Sequence, residues 1–81
     1  MVANGRVENY RNVLARNVRA RRENLGLTQE QLGFETGLDR TYISGIERGV
    51  RNPSLDVIAK IASALDTSPS DLLSAMNLSE R

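Results

Sequence analysis

The sequence predicts an all-α fold, a compact bundle of five helices in a single domain over residues 1–81. Three observations carry this. Apolar residues recur at intervals of three, four and seven along most of the chain, the period of a helix with one buried face. Thr28, Asp39, Ser54 and Ser68 stand just before four of these runs, and each is a side chain that accepts hydrogen bonds from the first N–H groups of a helix. No stretch alternates apolar and polar residues as a strand does. With 81 residues and 40% hydrophobic content, there is material for one modest core.

The first helix is read from Val7 to Leu25. Val7, Leu14, Val18 and Leu25 fall on one side, no Pro or Gly interrupts them, and Gly26 supplies a left-handed stop. The other faces carry Arg11, Arg16, Arg19, Arg21 and Arg22, which read mostly as a solvated surface. "LTQEQLG" opens the second helix: Thr28 is the N-cap, Gln31 completes a capping box and Leu27 is placed for a hydrophobic staple. This helix runs from Gln29 to about Thr36 and stops at Gly37. It buries Leu32, and Gly33 lets another backbone approach closely. Phe34 lies opposite Leu32, so it either packs on the start of the first helix or is exposed.

The third helix is "DRTYISGIERG", capped by Asp39 and stopped by Gly49, with Ile43 and Ile46 turned inward and Leu38 entering the core from the turn. Two short helices joined by "TGLD" form the helix-turn-helix pattern at about residues 28–48. Leu55, Ile58, Ile61, Ala62 and Leu65 mark the fourth helix behind Pro53 and Ser54. Ser68, Pro69 and Asp71 start a short fifth helix that runs to about Met76. Residues 1–6 and 77–81 are expected to be flexible ends.

Composition narrows the chemistry. The chain has no Cys and no His, which removes disulfides, zinc sites, thiol chemistry and histidine acid-base catalysis. Its carboxylates are scattered singly, so no enzyme, metal, cofactor or small-molecule ligand is expected. No apolar run approaches the ~20 residues that cross a bilayer, and "MVANGRVENYRN" lacks the apolar core of a signal peptide; a cytoplasmic protein away from membranes is expected. The net charge of +1 hides an asymmetry. Residues 1–51 hold nine Arg against six acids, whereas residues 52–81 hold Lys60 and Arg81 against Asp56, Asp66, Asp71 and Glu80. A basic front suits an anion-binding face, although chance produces differences of this size in many domains.

The third helix breaks two rules of helix building. Arg40 puts a cation in the first turn, against the helix dipole, and Gly45 sits mid-helix; each fault costs a few tenths to ~1 kcal/mol. With Ile43 and Ile46 inward, the outward positions are Arg40, Thr41, Ser44, Gly45 and Arg48, a polar row of small and basic residues sized for a DNA major groove. Arginine pairs in bidentate fashion with guanine O6 and N7, worth ~1–3 kcal/mol of discrimination, which exceeds the dipole cost. Arg40, Thr41, Ser44 and Gly45 are therefore the candidate base-reading residues. Arg40 could instead pair with Asp39 or Glu35, and Gly45 could serve close helix packing. Backbone contacts are assigned to Gln29 at the start of the second helix and to Arg48, Arg51 and Asn52 beyond the third, Arg48 being alternatively a solvated charge that favours the dipole.

One short helix reads few base pairs, so a homodimer on a pseudo-palindromic operator is expected. Its surface is assigned to the fourth and fifth helices and the connection before them, with Leu72, Leu73 and Met76 as interface residues. The alternative is a monomer whose last helix only covers the core.

The run "LGLTQEQLGFETGLDRTYISGIERGVRNPSLDVIAKIASAL", residues 25–65, closely resembles the helix-turn-helix domain of phage repressors and Cro, also called the xenobiotic-response-element type. The resemblance implies a five-helix DNA-binding domain whose third helix enters the major groove of double-stranded DNA. It places Gln29 at the family's phosphate contact and Arg40, Thr41, Ser44 and Gly45 at its base-facing positions. It also gives Glu47, which otherwise reads as a surface acid, a structural partner in Arg22. Gly33 departs from the family's usual Ala and should loosen the second helix slightly. Within the family, "LDRTYISGIERG" resembles the dimeric controller proteins of restriction–modification systems, which adds Tyr42 as a residue at the DNA surface. The expected function is a DNA-binding transcriptional regulator, with an antitoxin that binds both DNA and a protein toxin as the alternative.

Overall fold

The computed structural model describes residues 9–75, and among them it has five helices and no strand. α1 (Tyr10–Asn24) opens behind Asn9, whose side chain accepts from the Asn12 N–H at 3.3 Å. Val7 lies outside the described residues. At the far end Leu25 is the C-cap and 46% exposed, so it does not extend the buried face as its spacing predicts: it lies past the last helical turn, where the chain leaves the core. The buried residues of α1 are Val13, Leu14, Ala15, Asn17 and Val18.

α2 (Gln29–Thr36) has the full capping box: Thr28 Oγ1 accepts from the Gln31 N–H at 3.0 Å, and Gln31 Oε1 accepts from the Thr28 N–H at 2.8 Å. α3 (Arg40–Glu47) follows after Gly37, whose φ of 72° turns the chain sharply. The close approach at Gly33 is with that turn: a Cβ there would stand 2.7 Å from the Leu38 carbonyl oxygen. Thr36 braces the same turn, its Oγ1 donating to the Leu32 carbonyl and accepting from the Leu38 N–H. α2 and α3 are thereby locked at a fixed angle, and Phe34 is left 88% exposed on the outer side of α2.

α4 (Leu55–Ala64) is capped by Ser54, and Leu55, spaced as a core residue, is 75% exposed. It stands in the first turn, beyond the rim of the core that Ile58, Ile61, Ala62 and Leu65 fill. α5 (Pro69–Leu72) is shorter than its sequence signal. Asn17 ends it, its Nδ2 donating to the carbonyls of Leu72 at 2.8 Å and Ser74 at 3.1 Å. The core joins Leu14 and Val18 of α1, Leu32 of α2, Ile43 and Ile46 of α3, the α4 stripe and Leu72. Fully burying a Leu or Ile contributes about 1.5–3 kcal/mol, so this cluster holds the helices in place.

One interface assignment is corrected here. Leu72 is 2% exposed and belongs to the protomer's own core, because α5 turns that side chain toward α4 and α1. Leu73 is half-buried against the core, and Met76 lies outside the described residues.

Candidate nucleic-acid interface

Asp39 begins α3 with extended backbone, and its carboxylate accepts from the Thr41 N–H at 2.8 Å. That bond satisfies one of the orphan donors of the helix start. Arg40 is exposed and makes no ion pair with the described residues. Thr41 is exposed and Ser44 half-buried; with Arg40 and Arg48 they occupy one side of α3, opposite Ile43 and Ile46. Arg48 reaches back one turn, its Nε donating to Ser44 Oγ at 3.4 Å.

Gly45 is not an open outward position. It is buried beneath Arg51, and a Cβ there would come within 2.7 Å of Arg51 Cγ. The glycine lets the Arg51 side chain lie across α3, where its guanidinium carbon stands 5.7 Å from the centre of the Tyr42 ring, within cation–π range. Arg51, Gly45 and Tyr42 thus form one stacked group beside the Arg40 row. The turn that presents Arg51 is closed by Gly49, at φ 76°, with the Val50 N–H bonded to the Gly45 carbonyl and the Gly49 N–H to that of Ile46. A side chain on Gly49 would also collide with Asn12, since its Cβ would lie 2.5 Å from Oδ1.

Behind this face sits a charged cluster. Arg22 grips Glu47 with both arms of its guanidinium, Nε to Oε2 at 2.6 Å and Nη2 to Oε1 at 2.9 Å, and donates through Nη1 to the Leu27 carbonyl at 2.7 Å. The side chains are 11% and 3% exposed. The hydrogen bond to Glu47 raises the Arg22 pKa above its ordinary value, desolvation opposes this, and the charges of Glu47 and Glu23 add to the rise. Gln29 joins from the start of α2, its Nε2 donating to Glu47 Oε1 at 3.1 Å. One donor of the expected phosphate contact is therefore already engaged within the protein.

Asn52 is exposed further along, at the edge of a groove that Tyr10, Pro53, Leu55 and Leu73 line. Sequence reasoning missed this groove, because Leu55 fits the α4 stripe equally well by spacing. It also read Arg21 as solvated, whereas Arg21 donates to the Leu65 carbonyl at 2.9 Å and the Asp66 carbonyl at 2.8 Å, closing the end of α4. A polar Asn17 inside the apolar stripe of α1 was the one available sign that this helix serves as a cap for others.

The family model described as Helix-turn-helix matches residues 18–72, the segment that contains α2, the turn and α3. The chain belongs to the helix-turn-helix family. Control protein C.BamHI of Bacillus amyloliquefaciens is 55% identical over 58 residues, 72% of this chain and 69% of that protein. Among solved structures, the hypothetical transcription factor NHTF from Neisseria matches with a TM-score of 0.82 and 39% identity over 93% of this chain and 91% of that one. The restriction-modification controller protein C.Esp1396I, solved as a tetramer in complex with its natural 35 base-pair operator, matches with a TM-score of 0.76 and 32% identity, covering 91% of this chain and 96% of that one. This helix-turn-helix chain is thus a DNA-binding transcription regulator related to the control proteins, and α3 is the second helix of its motif.

Proposed function

We propose that the chain binds a pseudo-palindromic operator in double-stranded DNA as a homodimer and controls a restriction–modification operon. It acts in the cytoplasm by binding and not by catalysis. α3 enters the major groove, with Arg40, Thr41 and Ser44 against base edges. Gln29, Tyr42, Arg48, Arg51 and Asn52 hold the backbone on either side, and Gly45 lets Arg51 lie along the groove face of the helix. The single observation that carries this is Arg40: it is exposed at the start of α3 without an acidic partner among the described residues, where a cation is unfavourable to the free helix.

The dimer surface is better placed on the groove at Tyr10, Pro53, Leu55 and Leu73 than on Leu72. Tyr10 and Leu55 are 50% and 75% exposed, and Asn52 at the groove edge follows directly on Arg51. A second copy seated there lies beside the connection that leaves α3, which suits two half-sites one helical turn apart. Two experiments test the reading. Selection on random duplexes should recover a two-fold symmetric site; recovery of no preferred sequence overturns it. Sedimentation of Leu55→Glu at micromolar concentration should show a monomer where wild type is a dimer.

A further inference from the structure

We infer that Glu47 is a positioning residue for the DNA backbone contact: from the inner side of α3 it holds the Gln29 amide in the pose that meets a phosphate at the start of α2. This rests on the proposed role of Gln29 as a backbone contact. Glu47 Oε1 accepts from two donors, Arg22 Nη2 at 2.9 Å and Gln29 Nε2 at 3.1 Å. Arg22 is itself held at three points, so the carboxylate that receives Gln29 has no freedom to turn.

The amide nitrogen of glutamine carries two hydrogens. One is taken by Glu47, which leaves the second, together with the backbone N–H groups that begin α2, to face an anion. A long side chain fixed before binding has less rotamer freedom to lose when the phosphate arrives. The guanidinium of Arg22 also balances the Glu47 charge, so the buried carboxylate that holds Gln29 adds no uncompensated negative charge behind the DNA face. The cluster thereby ties the start of α2 to the end of α3, the two places from which backbone contacts are made.

The test is a cycle of variants on the duplex recovered by selection, read as affinity, salt dependence and thermal unfolding. Gln29→Ala should weaken binding about ten- to a hundredfold, the loss of one hydrogen bond to a charged group. Arg22→Met combined with Glu47→Leu removes both charges together, a change that proteins tolerate, and should weaken binding by about the same factor with the fold intact. Adding Gln29→Ala to that pair should cost nothing more. Glu47→Gln keeps an acceptor for Gln29 and should bind within about twofold of wild type even though its melting temperature falls. A merely structural role couples affinity to stability and does not produce this opposition.

Three results overturn the inference. One is an unchanged affinity for Gln29→Ala in wild type, and another is an equal loss from Gln29→Ala in both backgrounds. The third is a salt slope shallower by ~0.9 in the Arg22→Met, Glu47→Leu pair, which makes Arg22 itself the phosphate contact. Failure of the wider reading is seen separately, as equal loss by Arg40→Ala on selected and scrambled duplexes.

Discussion

Arg22 and Arg40 lie eighteen residues apart in the same motif-bearing segment, one with a side chain 11% exposed and three hydrogen bonds, the other in solvent at the tip of a helix. Both guanidiniums have the same five donors in the same fork. What differs is where the matching acceptors are. For Arg22 they are in the protein, the Glu47 carboxylate and the Leu27 carbonyl, 2.6–2.9 Å from its nitrogens. For Arg40 the protein offers none among the described residues, and in the proposed complex they lie on a base edge with two acceptors side by side. The inner arginine sets the geometry of the helix that displays the outer one, so losing the first should harm the fold and losing the second only recognition.

That contrast can be broken in graded steps. Glu47→Ala leaves Arg22 buried without its partner and is expected to destabilise the fold by about 3–5 kcal/mol in urea unfolding, the largest effect of the series. An exposed pair would lose under about 1 kcal/mol, so a small value would place Arg22 with the surface arginines. Arg40→Ala should cost about 1–3 kcal/mol of discrimination between the selected duplex and a scrambled one at fixed salt, with the unfolding midpoint unchanged or slightly raised. A drop in stability would make Arg40 structural.

Two weaker changes sharpen the outer half. Arg51→Ala should reduce the slope of log affinity against log salt by ~0.9, the signature of one phosphate contact. An unchanged slope with lost sequence preference would move Arg51 among the base readers. Gly45→Ala brings a Cβ to 2.7 Å from Arg51 Cγ and displaces the whole side chain from Tyr42, a loss that offsets the gain in helix propensity; stability should change by less than about 1 kcal/mol while affinity falls a few-fold. Melting curves and titration of the same variant would show affinity falling without a matching loss of stability.

The helix-turn-helix itself was legible because its signals are local. Thr28 with Gln31, Gly37, Asp39 and Gly49 each act within a few residues, and α2 and α3 run between the bounds they mark. Leu25 and Leu55 were misplaced because spacing says which residues share a helix face, not how far the opposing element extends to cover it. α5 was read too long since nothing near Leu73 in the sequence announces that Asn17, far away in α1, closes its end. In the candidate site, exposure of Arg40 and Thr41 follows from the position of Ile43 and Ile46, which any helical wheel supplies. The stacking of Arg51 on Gly45 and the bond from Gln29 to Glu47 depend on where the chain returns in three dimensions, and no periodicity encodes that.

The two polar side chains of α1 that reach across to α4 and α5 have a consequence for how the molecule opens. Asn17 and Arg21 lie one helical turn apart, and between them they bind carbonyls at the ends of both C-terminal helices. Neither end can fray without breaking bonds to the first helix, and that helix also packs against α3. α1, α4 and α5 are therefore joined into one cooperative unit around α3, so the α3 amides should exchange with solvent only when the whole unit unfolds.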